Sequence, residues 1–101
     1  MSERFDVVVV GAGVSGASLA WQLKKRGAKR VLLAERDRPA SGGTGKSAAI
    51  VRQHYSTPLM ARMARASLDI FQEKAKACGF EQPGYLFLVP PGQAVTAQAN
   101  M

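Results

Sequence analysis

The sequence predicts an α/β fold built on a parallel strand–helix–strand unit. Three features carry this. A β-branched run, "FDVVVV" (residues 5–10), leads straight into glycines. A helix-length stretch, residues 14–26, follows and closes on a basic turn and Gly27. A second short apolar run, "RVLLAE" (residues 30–35), comes next. Two strands joined through a helix in about 30 residues form a right-handed crossover, so they run parallel.

Each element has its own reason. The two apolar runs are short, β-branched and uncharged within, as buried strands are. In residues 14–26, Val14, Ala17, Trp21 and Leu23 fall roughly on one side of a helix. Lys24, Lys25 and Arg26 suit the negative end of the helix dipole, and Gly27 can cap it. Then "RDRPASGGTGK" (residues 36–46) holds Pro39 and three glycines, which exclude regular structure. "SAAIVRQHY" (residues 47–55) reads either as a short helix or as an extended segment. Residues 56–79 read as a helix, with Thr57 as N-cap, Pro58 at the first helical position and Gly79 at its end. Leu59, Met63, Ala66 and Ile70 make its stripe, widened by Met60, Leu68 and Phe71. The methionines there read as core packing, not as a cofactor-binding face. "GYLFLVP" predicts a strand over residues 84–89, bounded by Gly84 and Pro90. The last eleven residues open a further element. So small a sheet cannot cover both its faces, and the chain is expected to be the N-terminal part of a longer protein.

Composition narrows the function classes. At 101 residues, 47% hydrophobic and 21% charged, the chain reads as one small globular domain at most. The net charge of +7 is scattered over helix faces and a helix C-terminus, with no run of like charges, so no nucleic-acid partner is expected. A single cysteine, Cys78, allows no internal disulfide and reads as a packed or idle thiol. Residues 7–23 carry no charge, but they hold three glycines and two serines and follow Glu3 and Asp6. That is neither a signal peptide nor a membrane span. A cytoplasmic location is expected, with no membrane partner and no metal.

Two glycine loops compete to be the phosphate cradle. Gly11, Gly13 and Gly16 form G-x-G-x-x-G between a strand and a helix. Gly11 permits the tight turn, Gly13 lets a pyrophosphate approach the backbone, and Gly16 lets helix pack on strand. Backbone N–H groups along the stretch, those of Ala12, Val14 and Ser15 included, then face the phosphates at the positive end of the helix dipole. Glu35 ends the second strand 19 residues after Gly16, where a carboxylate accepts hydrogen bonds from ribose hydroxyls and repels a 2′-phosphate. The unit is thus Rossmann-like and binds FAD or NAD rather than NADP.

The second loop, "ASGGTGKS" (residues 40–47), fits a loose triphosphate-loop pattern, with Ala40 where the strict pattern has glycine. Yet "RDRP" separates it from its strand, and no later strand offers a magnesium-binding Asp. It reads better as lying over the same dinucleotide. Gly42, Gly43 and Gly45 would offer backbone N–H groups, Ser41, Thr44 and Ser47 hydroxyls, and Lys46 lies among them.

The stretch from "FDVVVVGAGVSGASLAWQLKKRGAKRVLLAERDRPASGGTGKSAAIVRQHYS" through a helix to "GYLFLV" resembles the N-terminus of the D-amino acid oxidase family of FAD-dependent oxidoreductases, which includes sarcosine oxidase and dimethylglycine dehydrogenase. The resemblance implies FAD as cofactor and an FAD domain interleaved with a substrate domain. Residues 1–83 would belong to the former and residues 84–101 would open the latter. It implies that Arg36 flanks the adenosine, that Ser41 to Ser47 pass along the FAD, and that Arg52 faces a substrate carboxylate, a task suited to a guanidinium. Tyr55 falls at a position often aromatic in relatives. Some relatives attach flavin to a histidine in this region. Ser47 stands near that place here, so no covalent link is expected there. His54 reads as a local hydrogen-bonding residue, and no catalytic residue is identifiable.

The expected function is FAD-dependent oxidation of the C–N bond of an amine or amino acid, of the sarcosine (N-methylglycine) or D-amino acid type, by hydride transfer to flavin. Alternatives are an NAD-dependent dehydrogenase on the same βαβ unit, or a non-catalytic FAD- or NAD-binding redox sensor. Expected partners are a small-molecule substrate and the rest of the same polypeptide; further subunits are compatible.

Overall fold

A computed structural model describes residues 3–99. The chain divides into two compact units, Met1–Ile50 and Val51–Met101.

The first unit is the predicted strand–helix–strand. Strand β1 (Val7–Val10), helix α1 (Val14–Lys25) and strand β2 (Val31–Ala34) follow in order. The strands pair in parallel, with Val7 opposite Val31 and Val10 opposite Ala34. Backbone bonds extend the pairing at both ends: Asp6 N–H donates to the Arg30 carbonyl at 2.9 Å, and Gly11 N–H to that of Ala34 at 2.7 Å. Asp6 returns the contact, its Oδ2 accepting the Arg30 N–H at 2.9 Å.

Helix α1 ends as its sequence demands. Gly27, at φ 96°, donates to the Lys24 carbonyl, and Ala28 N–H reaches back to that of Leu23. This left-handed closure satisfies carbonyls the helix itself leaves open, and glycine takes it without a Cβ penalty.

Two expectations are corrected here. The strands are not buried on both faces: Val9 is 7% exposed, but Val8 and Val10 are 54% and 85% exposed. A two-stranded sheet with one helix beside it has only one covered face. The inward side of α1 is also rotated from the predicted one. Gly16, Ala20, Gln22 and Leu23 are its less exposed positions, whereas Val14, Ala17 and Trp21 face out. The cause is Gly16, whose lack of a side chain lets the helix lie directly on the glycine turn. Trp21 instead takes the Lys25 ammonium over its ring at 5.1 Å.

Residues 36–46 are irregular apart from a one-turn 3-10 helix at Thr44–Lys46. The ambiguous stretch 47–55 contains no helix and no strand.

In the second unit, helix α2 (Pro58–Glu73) is followed by a single turn, α3 (Ala75–Cys78). One predicted helix is thus two, parted at Lys74. Thr57 is the N-cap, its Oγ1 accepting the Met60 N–H at 3.4 Å, and Pro58 opens the helix. Gly79 closes α3 at φ 65°. The cap bond is long, so Thr57→Ala is expected to remove about 0.5 kcal/mol of stability, the low end for such caps, read as a shift in the urea midpoint.

The α2 stripe is shifted as well. Leu68 is 7% exposed, and Ala61, Ala64, Ile70 and Phe71 are half-buried, while Leu59 and Met63 stay 60% and 55% exposed. Phe71 stacks on Phe80 at 5.6 Å, which draws that side of the helix inward.

Residues 84–89 form no strand. Their side chains keep a strand's alternation all the same. Leu86 and Leu88 are 84% and 87% exposed, against 43% for Phe87. Tyr85 and Phe87 share a side, stacked at 5.7 Å. The period is present but no neighbouring strand supplies ladder bonds, and a strand exists only as one of a pair. The chain then turns through Pro91–Gln93 into a short helix, α4 (Ala94–Ala99). Among the described residues, no helix is long and apolar enough to cross a membrane.

Candidate dinucleotide site

The turn between β1 and α1 is shaped by its glycines. Gly11 sits at φ 95°, a conformation that L side chains rarely adopt. A Cβ at Gly16 would run into the Gly11 carbonyl oxygen, so the close approach of α1 to the turn requires glycine there. Gly13 is the N-cap of α1 and brings no side-chain cap of its own.

Two other segments grip this turn. Ala12 is 4% exposed, and its N–H donates to Glu35 Oε2 at 2.8 Å. The same carboxylate takes the Asp37 N–H on Oε1 at 3.1 Å. These bonds, that from Ala12 first, hold the Glu35 carboxyl below its ordinary pKa, so it is ionised at neutral pH. The second glycine loop grips from another side. Ala40 N–H donates to the Ala12 carbonyl at 3.0 Å, and Thr44 Oγ1 accepts the Val14 N–H at 2.9 Å.

The loops border an open cavity of about 280 Å³. Gly11 and Gly13 line it from the first loop; Glu35 and Arg36 from the end of β2; Ser41, Gly42, Gly43 and Thr44 from the second loop. All eight were expected from sequence. Val10, Ala34 and Ala40 also line it and were not. Ala12, Val14, Ser15, Gly16, Gly45, Lys46 and Ser47 do not. Ala12, Val14 and Gly16 instead build the turn, and Ser47 Oγ accepts the Ala49 N–H at 3.0 Å. For Ala40 a signal existed: it stands where a glycine pattern wants glycine, and it adopts φ 63°. Gly45 packs so that a Cβ would meet the Ala40 carbonyl oxygen.

A triphosphate cradle is absent from this arrangement. Lys46 ends an exposed one-turn 3-10 helix, where such a cradle would open into an α-helix.

Arg52 and Tyr55 belong to the second unit, and the Arg52 guanidinium lies over the Tyr55 ring at 5.2 Å. His54 makes an aromatic contact rather than the expected hydrogen bond, its ring 4.8 Å from that of Phe87. Among the described residues, no group of His, Cys, Asp and Glu could hold a metal ion.

Comparison with known proteins decides between the dinucleotide classes. A sequence profile described as FAD dependent oxidoreductase (DAO) matches residues 6–100. The chain belongs to this family. The DAO family is FAD dependent, so the Rossmann-like unit is that of a flavoprotein family. Among relatives, the chain is 36% identical to FAD-dependent oxidoreductase domain-containing protein 1 of Xenopus laevis, over 97% of this chain and 23% of the relative. It is 29% identical to human mitochondrial dimethylglycine dehydrogenase over 85% of this chain and 10% of that protein. A shorter match, 65% identical over 34 residues, is to a probable sarcosine oxidase of Arabidopsis thaliana and covers 34% of this chain and 8% of that protein. The chain thus spans about a quarter or less of the length of these DAO relatives. No solved structure matches it.

Proposed function

We propose that the protein is an FAD-dependent oxidoreductase that oxidises the C–N bond of a small amine or amino acid, of the sarcosine or D-amino acid type. One observation carries the FAD part of this reading: the cavity between the two glycine loops, with the ionised Glu35 on its wall. Its residues suit the adenosine–pyrophosphate half of FAD. Gly42 and Gly43 have open space where a Cβ would be, so their backbone is approachable. Glu35 spends one lone pair of each oxygen on backbone N–H groups and keeps others for ribose hydroxyls. Arg36, on the same wall, would flank the adenosine.

When bound, FAD supplies an acceptor for the hydride leaving the carbon that bears the substrate nitrogen. The chain's own residues do the holding. The first loop and Ser41 to Thr44 would hold the pyrophosphate, and Glu35 the ribose. Arg52, its guanidinium 5.2 Å from the centre of the Tyr55 ring, takes the substrate carboxylate in a bidentate pair. The names of the relatives, a sarcosine oxidase and a dimethylglycine dehydrogenase, support an N-methyl amino acid as the first substrate class to test. Residues 84–101 open a substrate domain in this reading, the rest of the polypeptide completes the site, and the protein works in the cytoplasm.

The substrate half is tested at Arg52. Arg52→Met is expected to raise KM for amino-acid substrates on the order of 10- to 100-fold, the worth of one charge-assisted pair, with flavin content unchanged. An unchanged KM would remove Arg52 from the substrate site.

A further inference from the structure

The cations of the first unit gather at one end of it. Five of the seven residues from Lys24 to Arg30 are basic, and all five are exposed. In sequence, Gly27 and Ala28 break the run. In the fold they close it: Gly27 turns the chain back at φ 96°, and the Lys24 ammonium donates to the Lys29 carbonyl at 2.9 Å. Because α1 runs against the two strands, this turn lies at their N-terminal end, whereas the glycine loops and the cavity lie at their C-terminal end. The cluster therefore takes no part in the dinucleotide site.

Its charge is not compensated within the unit. In the second unit, cations pair with acids: Arg65 Nη1 lies 2.9 Å from Asp69 Oδ1, and Lys74 Nζ lies 2.8 Å from Glu73 Oε1. Among the described residues, no carboxylate pairs in this way with Lys24, Lys25, Arg26, Lys29 or Arg30. Asp6 stands at this end, but its Oδ2 accepts the backbone N–H of Arg30. Nor does the helix end account for so many cations. A helix C-terminus carries about half a negative charge, and the carbonyls of Gln22, Leu23 and Lys24 are already taken by the N–H groups of Arg26, Ala28 and Gly27. Neutral groups hold three of the cations instead. The Lys29 carbonyl holds Lys24, the Trp21 ring lies under Lys25 at 5.1 Å, and the Phe5 ring lies under Arg30 at 5.2 Å.

We infer that the turn from Lys24 to Arg30 docks an acidic segment of a second protein, one rich in Asp and Glu. The guanidiniums of Arg26 and Arg30 can each take a carboxylate with two bonds. Side chains already held lose less freedom on binding. A lipid surface fits less well, because the tip between the cations is Gly27–Ala28, with no large apolar side chain to insert. A nucleic acid fits less well too. Trp21 and Phe5 already lie under cations, and the charges crowd at one turn instead of tracking a backbone. A docking face here does not depend on the FAD reading above.

The test uses the full-length gene product and a fluorescein-labelled oligoglutamate peptide, with binding read by fluorescence anisotropy. Wild type is expected to bind the peptide, and to bind it more weakly as salt is raised. Lys25→Gln combined with Lys29→Gln removes two charges and no backbone bond. It is expected to raise Kd roughly 2- to 30-fold, the worth of two exposed ion pairs. Arg62→Gln combined with Lys76→Gln, at exposed cations of the second unit, makes the same change in net charge and is expected to bind as wild type does. Should the first double variant lose its circular dichroism, Lys29→Gln alone is compared with Lys76→Gln alone. A wild type that ignores the peptide, or an equal loss in both double variants, overturns the docking face. Tighter binding of phosphatidylserine–phosphatidylcholine vesicles or of duplex DNA than of the peptide, lost with Lys25 and Lys29, overturns the acidic protein as its occupant.

Discussion

Gly16→Val is expected to leave the protein without a stable first unit and without flavin. Glycine in a helix is about 1 kcal/mol worse than alanine, so an open site would gain from any side chain. Gly16 is not open. Its missing Cβ would strike the Gly11 carbonyl oxygen and lie 3.4 Å from Val9 Cγ1. The carbonyl cannot retreat cheaply. Gly11 is already at φ 95°, and its N–H is tied to Ala34 at 2.7 Å. Overpacking a core commonly costs about 1–3 kcal/mol, and a collision with backbone lies at or above that range. Alanine is therefore destabilising here and valine more so. Gly92→Ala is the control, with nothing within 4 Å of the added Cβ, no positive φ and no place on the cavity wall. Thermal denaturation and flavin content of the three variants check this. A Gly16→Val protein that melts like wild type would show that α1 does not lie on the turn.

Glu35→Gln is expected to weaken FAD binding on the order of tenfold or more, through lost charge-assisted bonds. The carboxylate presents oxygen on both sides, to Ala12 N–H at 2.8 Å and to Asp37 N–H at 3.1 Å. A glutamine offers one oxygen and one NH₂, so one of those donors would face another donor. The buried turn at Ala12 loosens, and the ribose loses its partner. Acid adds a second signature. The folded-state pKa of Glu35 lies below 4.5, Ala12 N–H being the main cause. The stability contributed by Glu35 is therefore complete above about pH 4.5 and is lost as the pH falls through that lower, folded value. Melting temperatures between about pH 6 and pH 3 should show a smaller acid loss in Glu35→Gln than in wild type. Identical acid profiles would mean that Glu35 does not brace the loop.

The first unit was legible because its constraints are local. Strand, turn, helix and strand each announce themselves within a few residues, and Gly27 closes the helix it was expected to close; in the second unit Thr57 caps α2 as expected, while Gly79 closes only the separate turn α3. Gly11, Gly13 and Glu35, read from a motif with fixed spacing, lie on the cavity wall, as do Arg36 and Ser41 to Thr44, which were read from loop composition and the family resemblance. What depended on distant partners was not legible. Nothing near Thr44 says that it caps a helix 30 residues earlier. The α1 and α2 stripes were read from periodicity, but the neighbour decides which side turns inward: Gly16 on the turn for α1, Phe80 against Phe71 for α2. Residues 84–89 have the composition and alternation of a strand, and no strand beside them.

The most direct test of the central claim is a visible absorption spectrum of the purified full-length gene product. A flavin spectrum that bleaches on adding an N-methyl or D-amino acid is the expected result. A protein that is colourless, and stays colourless after incubation with FAD, would contradict it.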